Sequence, residues 1–233
     1  MILRAGVAAV IALVSILTGS GQAAVARVLL IGNSLTYAND LPRMIEEVAP
    51  VACEAVAYPN YGLDDHWRDG RALEAIRRGG WTHVVLQQGP SSLRESRELL
   101  VRYARLFARE IGREQAQVVL YGVWPSADRR AYFGAVSASY GAAARAAGGA
   151  LVPAGDGWQA AWKRDRSLPL YGPDGFHPSP MGSYIAALMI AAQVAGVEPS
   201  PTLPRAVVAR PEQGLMLRDA ARDALSAARA GSR

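Results

Sequence analysis

The sequence predicts an α/β protein built on one open, five-stranded parallel sheet with helices covering both faces. Three observations lead there. Short apolar runs, continuous over residues 28–31 (VLLI) and present as VVL within 82–86 (THVVL), recur along the chain, which is how strands buried on both faces read. Stretches with helical periodicity separate those runs. Strand and helix alternate through most of the chain, and that alternation favours parallel pairing through crossover helices.

The elements follow in order. Residues 28–31 form the first strand and end at Gly32. A helix starts near Asp40, with Pro42 in its first turn and Pro50 beyond its end. Residues 52–58 alternate weakly and make a second strand. Residues 64–78 read as one helix stopped by Gly79 and Gly80, and residues 82–86 are the third strand. From 95 to 112 the helical period is clear: Leu100, Tyr103, Phe107 and Ile111 form one stripe. Arg102, Arg105, Arg109 and Arg113 repeat that spacing on the other side, which reads as a solvated face. Residues 117–122 (QVVLYG) are the fourth strand, 131–147 an alanine-rich helix and 150–153 a short fifth strand. A helix over 178–195 ends at Gly196. Residues 198–210 are proline-rich and are expected on the surface. A last amphipathic helix covers about 212–230, with Leu217, Ala220, Ala221, Ala224, Leu225 and Ala228 on one side.

Composition narrows the function classes. The chain has 233 residues, 51% of them apolar, enough to bury a full core without disulfides or structural metals. One cysteine, Cys53, cannot form an internal bridge, and there is no zinc-type Cys/His spacing. The net charge of +5 is spread along the chain and makes no basic patch of the kind nucleic acid needs. Residues 1–26 read as a signal peptide: Arg4, then an apolar stretch over 5–17, then small residues that allow cleavage within 23–26, with Ala23 preferred. The apolar run is too short to span a bilayer, so no stable membrane span is expected after cleavage. The expected product is a single domain over 27–233, periplasmic or secreted.

In an open parallel sheet, ligands bind outside the carboxyl ends of the strands. After the first strand stands Gly32-Asn33-Ser34-Leu35-Thr36, and near the other end of the chain Gly172-Pro173-Asp174-Gly175-Phe176-His177-Pro178. A serine hydroxyl becomes a nucleophile when a neighbouring base takes its proton. An aspartate three residues before a histidine can orient that imidazole, the second half of triad logic. Taken alone, Ser34 reads as a cap, Asp174 as a turn former and His177 as a loop residue. The topology is what places them on one edge.

These two segments resemble the first and last blocks of the SGNH (GDSL-like) hydrolases, with Asn33 where aspartate is commoner. The resemblance runs from Val28 to about Gly196. It implies a flavodoxin-like three-layer α/β/α sandwich and a secreted or periplasmic serine esterase. It implies Ser34 as nucleophile, His177 as general base and then acid, Asp174 as orienting carboxylate, and no metal or organic cofactor. The backbone N–H of Ser34 would serve the oxyanion hole, with Gly62 in the place of the family's second block. The third block, normally Gly-x-Asn-Asp, is replaced here by Leu86-Gln87-Gln88-Gly89, so a glutamine amide, Gln88 before Gln87, would donate instead. Trp124, after the fourth strand, is a candidate for the substrate pocket, with core packing as the equal alternative. His66 and His83 have no partners in sequence and are expected in surface or packing roles.

The resulting expectation is an exported esterase acting on a small-molecule or carbohydrate ester, with a small acyl group on a sugar as the substrate class. The alternatives are an O-acyltransferase of the same type, or a non-catalytic carbohydrate- or envelope-binding module with the same fold. A phosphate or flavin site lacks its glycine-rich loop. The sequence assigns no oligomeric state.

Overall fold

The computed structural model describes residues 25–230. The expected targeting segment therefore lies almost wholly outside the described residues. Five strands, β1 (Ala26–Gly32), β2 (Val51–Ala57), β3 (His83–Leu86), β4 (Gln117–Gly122) and β5 (Ala150–Pro153), form one sheet in the order β2-β1-β3-β4-β5. Every pairing is parallel. Val28, Leu29, Leu30 and Ile31 are fully buried, as a strand covered on both faces requires.

Helices α1 (Ser34–Tyr37) and α2 (Leu41–Val48) follow β1, and α3 (Leu63–Asp69) and α4 (Arg71–Arg77) follow β2. Next come α5 (Arg94–Arg113), α6 (Phe133–Ala147) and α7 (Ala154–Arg164), and the chain closes with α8 (Pro180–Ala195) and α9 (Pro211–Ala230). The strand order moves one way from β1 to β2 and the other way from β1 to β3. Right-handed crossovers then place α2 on one face and α3 to α6 on the opposite one. The packing agrees: α3, α5 and α6 contact one another in a row, while α2 lies on α8, and α8 on α7 and α9. The reversal between β1 and β3 is the topological switch point, where this class of sheet opens a crevice.

Two expectations about helices are corrected. Residues 64–78 are two helices, broken at Gly70, whose φ of +88° is left-handed. The second correction is α7, which sequence reading missed because Gly155 and Gly157 stand in its first turns and glycine weakens a helix. Packing explains both residues. A Cβ on Gly155 would lie 2.5 Å from the Val123 carbonyl oxygen, and one on Gly157 2.6 Å from Met189 Sδ. On α5, Leu100, Ala104, Phe107 and Ile111 are buried, and Arg102, Arg105, Arg109 and Arg113 face outward. Among the described residues no helix is long and apolar enough to cross a membrane.

Candidate active site

The turn after β1 is pinned from several sides. Gly32 is required by close approach, since a Cβ there would sit 2.2 Å from Thr36 Oγ1 and 2.3 Å from Gln87 Oε1. Gln87 comes from the end of β3, the neighbour of β1, where its backbone N–H donates to the Ile31 carbonyl at 2.9 Å. Its fully buried side chain lies beneath the turn. Gln87 Oε1 accepts from the Asn33 backbone N–H (2.8 Å) and the Thr36 hydroxyl (2.7 Å). Its Nε2 donates to Asn33 Oδ1 (3.0 Å) and to the Gln88 carbonyl (2.6 Å). Asn33 caps α1 by accepting from the Leu35 N–H, and its Nδ2 donates to the Tyr61 carbonyl at 3.0 Å. The Gly32 carbonyl accepts twice, from the Tyr58 N–H at 3.1 Å and from His66 Nε2 at 2.8 Å. Residues 32, 33, 35 and 36 are thus all tied down. Ser34, between them and half-buried, has no hydrogen-bond partner for its Oγ or its N–H among the described residues.

The second segment is equally ordered. Asp174 Oδ1 accepts from the backbone N–H groups of Phe176 (3.0 Å) and His177 (2.9 Å), and Oδ2 meets His177 Nδ1 at 2.5 Å. The hydrogen bond from His177, with support from those two N–H groups, holds the Asp174 carboxyl down at about 2. A carboxylate against Nδ1 assigns the proton there and leaves Nε2 as the acceptor. Antiparallel bridging between Tyr171 and Pro178 closes the loop, and Gly175 turns it at a φ of +69°. The loop after β4 supports it: the Ala127 N–H donates to the Gly175 carbonyl (2.7 Å), and Trp124 Nε1 donates to the Phe176 carbonyl (3.1 Å). Asn39, five residues beyond Ser34, joins the two segments, its Nδ2 donating to the Pro178 carbonyl and to Ser183 Oγ, each at 2.9 Å.

Three sequence expectations about this site are corrected. Trp124 does not line a pocket. It is fully buried, stacked on Trp158 with ring centroids 3.8 Å apart, and it carries the His177 loop from beneath. The glutamine amides have no proton free for an oxyanion. Both of Gln87's are engaged as above, and Gln88 Nε2 donates to Ser91 Oγ (2.8 Å) and the Ser96 carbonyl (3.2 Å). The Gly62 N–H donates to Asp65 Oδ2 at 2.9 Å in a capping box at the start of α3. Of the four expected donors, the Ser34 N–H is the one without a partner. His66, expected in a surface or packing role, packs fully buried against the turn after β1. Sequence spacing held no signal for this scaffold, because its partners lie 28 to 54 residues apart.

A doubly wound parallel sheet, with an unpartnered serine after β1 and a histidine–aspartate pair on a loop tied to the same segment through Asn39, defines the class: an α/β/α protein with its candidate site at the switch point. No family model matches the chain, and no curated protein does. Among solved structures it is similar to a protein assigned to the SGNH hydrolases from Slackia heliotrinireducens, at 28% identity and a TM-score of 0.64, over 74% of this chain and 100% of that one. It is also similar to a DUF4886 family protein from Bacteroides uniformis, at 16% identity, TM-score 0.68, over 87% and 95% of the two chains. An acetyl-xylooligosaccharide esterase from Geobacillus stands at 16% identity and TM-score 0.55, over 74% and 95%. The fold is that of the SGNH (GDSL-like) hydrolases.

Proposed function

We propose that the protein is a serine esterase that works through an acyl-enzyme. The observation that carries this reading is Ser34, whose Oγ and N–H are the polar groups left without partners on a turn where every neighbour is tied down. In the first half-reaction Ser34 Oγ attacks the ester carbonyl while His177 Nε2 takes the hydroxyl proton. The carbonyl oxygen gains the negative charge and the Ser34 N–H donates to it. The tetrahedral intermediate collapses, the C–O bond to the alcohol breaks, and His177 returns the proton to the leaving alkoxide oxygen. In the second half-reaction water attacks the acyl-enzyme with His177 again as base, releasing the acid and restoring Ser34. Asp174 accepts from Nδ1–H throughout and stabilises the imidazolium.

The substrate we infer is a small acyl ester of a carbohydrate. The fold likeness to an acetyl-xylooligosaccharide esterase supports it, as does the export signal read in residues 1–26. Ala26 opens β1 opposite Val51, so cleavage after Ala23 leaves that strand whole. One observation favours the non-catalytic module instead: the amides of Gln87 and Gln88 and the Gly62 N–H all have internal partners.

Turnover of p-nitrophenyl acetate by the wild type and by Ser34→Ala separates the two readings. The esterase reading expects kcat to fall by at least about 10³. Equal activity in the two proteins, or no activity in either, would refute it.

A further inference from the structure

His66 takes no part in the chemistry proposed above, yet it lies fully buried on α3 with its ring against the turn that carries Ser34. Its Nε2 is 2.8 Å from the Gly32 carbonyl oxygen. A carbonyl only accepts, so Nε2 carries the proton and the tautomer is assigned by its partner. The other nitrogen, Nδ1, is a lone pair with no partner, and it is the one such buried side-chain atom among the described residues. The rings of Tyr58 and Tyr61 flank the imidazole, at centroid distances of 5.9 and 5.1 Å. A phenyl ring would fill this apolar space without stranding a polar atom. What the imidazole adds is the Nε2–H, aimed at the last residue of β1.

That carbonyl lies two residues before Ser34 and has only one other donor, the Tyr58 N–H. Tyr58 and Tyr61 belong to the same β2–α3 connection as Gly62, and Asn33 Nδ2 holds the Tyr61 carbonyl. His66 therefore ties the start of the nucleophile turn to the loop on the other side of the crevice.

We propose that His66 is a positioning residue for the nucleophile: its Nε2–H fixes the Gly32 carbonyl and thereby the height and direction of Ser34 Oγ relative to His177. The inference rests on the esterase reading, in which Ser34 is the nucleophile. The unpartnered Nδ1 has no acceptor for a second proton. Burial lowers the affinity of His66 for one, opposed first by the hydrogen bond to the Gly32 carbonyl and then by Asp69 and Asp65, with Arg71 adding to the burial effect.

Three variants test it on the full chain: His66→Phe keeps the ring and loses the donor, His66→Gln places an amide N–H near the Nε2 position, and Ser34→Ala is the reference. Each is assayed with p-nitrophenyl acetate and, except Ser34→Ala, timed for labelling by a serine-reactive phosphonate. His66→Phe should lower kcat by about ten- to a hundredfold with KM within about threefold, the range for displacing a reacting atom by up to 1 Å. Labelling should slow in parallel, and His66→Gln should recover most of both. A packing-only histidine predicts the reverse, with the phenyl ring tolerated and Gln the worse variant. If His66→Phe does not fold, His66→Asn replaces it. Its amide is too short to reach Gly32, so kcat for Gln must exceed that for Asn by at least about fivefold. Wild-type kcat in His66→Phe, or equal kcat in the Gln variant and its donor-less comparator, overturns the inference while Ser34→Ala stays inactive. An active Ser34→Ala refutes the esterase reading itself.

Discussion

Replacing Gln87 by leucine separates a support beneath Ser34 from an oxyanion donor. The side chain is fully buried and makes four hydrogen bonds, two accepted by Oε1 and two donated by Nε2. Leucine has similar volume, so the cavity contribution is small and the polar loss dominates. The Asn33 N–H and the Thr36 hydroxyl lose their acceptor, and the Gln88 carbonyl loses the Gln87 donor, though the Tyr140 hydroxyl still reaches it. Asn33 Oδ1 keeps the Leu35 N–H. Two stranded donors at about 1–3 kcal/mol each give a loss of about 2–6 kcal/mol. For a chain of this size, about 2–4 °C per kcal/mol puts the fall in Tm between about 4 and 24 °C. Differential scanning calorimetry measures it. Adding Thr36→Val removes one stranded donor, so the double variant should regain about 1 kcal/mol, a coupling within the range for contacting residues. An oxyanion donor predicts another pattern, kcat down about 10²–10³ with Tm nearly intact. A Tm within 2 °C of wild type alongside such a kcat loss would refute the support role.

Trp124→Phe keeps the stack on Trp158 but loses the hydrogen bond to the Phe176 carbonyl. It should cost about 1 kcal/mol and lower kcat, whereas Trp124→Ala should cost about 3–5 kcal/mol, both read by chemical denaturation. Asp174→Asn should lower kcat by about 10⁴, because an amide favours the wrong imidazole tautomer; a loss under tenfold removes Asp174 from the reaction. The Asp174 carboxyl, held down at about 2, is ionised in the folded state well below its ordinary range. The stability it contributes is fully present above the ordinary carboxylate value and is lost as pH falls through about 2. The pH profile of kcat/KM should therefore show no Asp174 limb near pH 4, and a limb near pH 4 that vanishes in Asp174→Asn would contradict the assignment. Burial, with Glu46 nearby, pushes the Cys53 thiol up to about 12. The thiolate is then scarce at pH 8, and iodoacetamide should label Cys53 slowly until denaturant is added.

Much of the site was legible because its chemistry sits in short local patterns. Asp174 and His177 are three residues apart and make their hydrogen bond within one loop, so spacing was enough to pair them. Ser34 stands out as a candidate by its place after an apolar strand. What the sequence could not convey is which polar groups remain free. Gln87 looked like a donor to substrate because it follows a strand on the right edge, but its amide faces Asn33, 54 residues away in sequence. Trp124 looked like a pocket wall for the same reason, and only packing against Trp158 shows it as core. The two glycines of α7 argued locally against a helix, and their reason lies on Val123 and Met189.

The sequence by itself determined the parallel α/β class, the five strands in chain order with most of the helices between them, and the residue types able to do serine chemistry. Those follow from apolar periodicity and short-range spacing, which each segment carries within itself. Only the tertiary structure decided the switch point between β1 and β3 and the joining of Asn39 to the His177 loop. It also decided which donors stay unpartnered. The physical reason is that a hydrogen bond occupies a proton, and whether that proton is free depends on an acceptor delivered by a distant part of the chain.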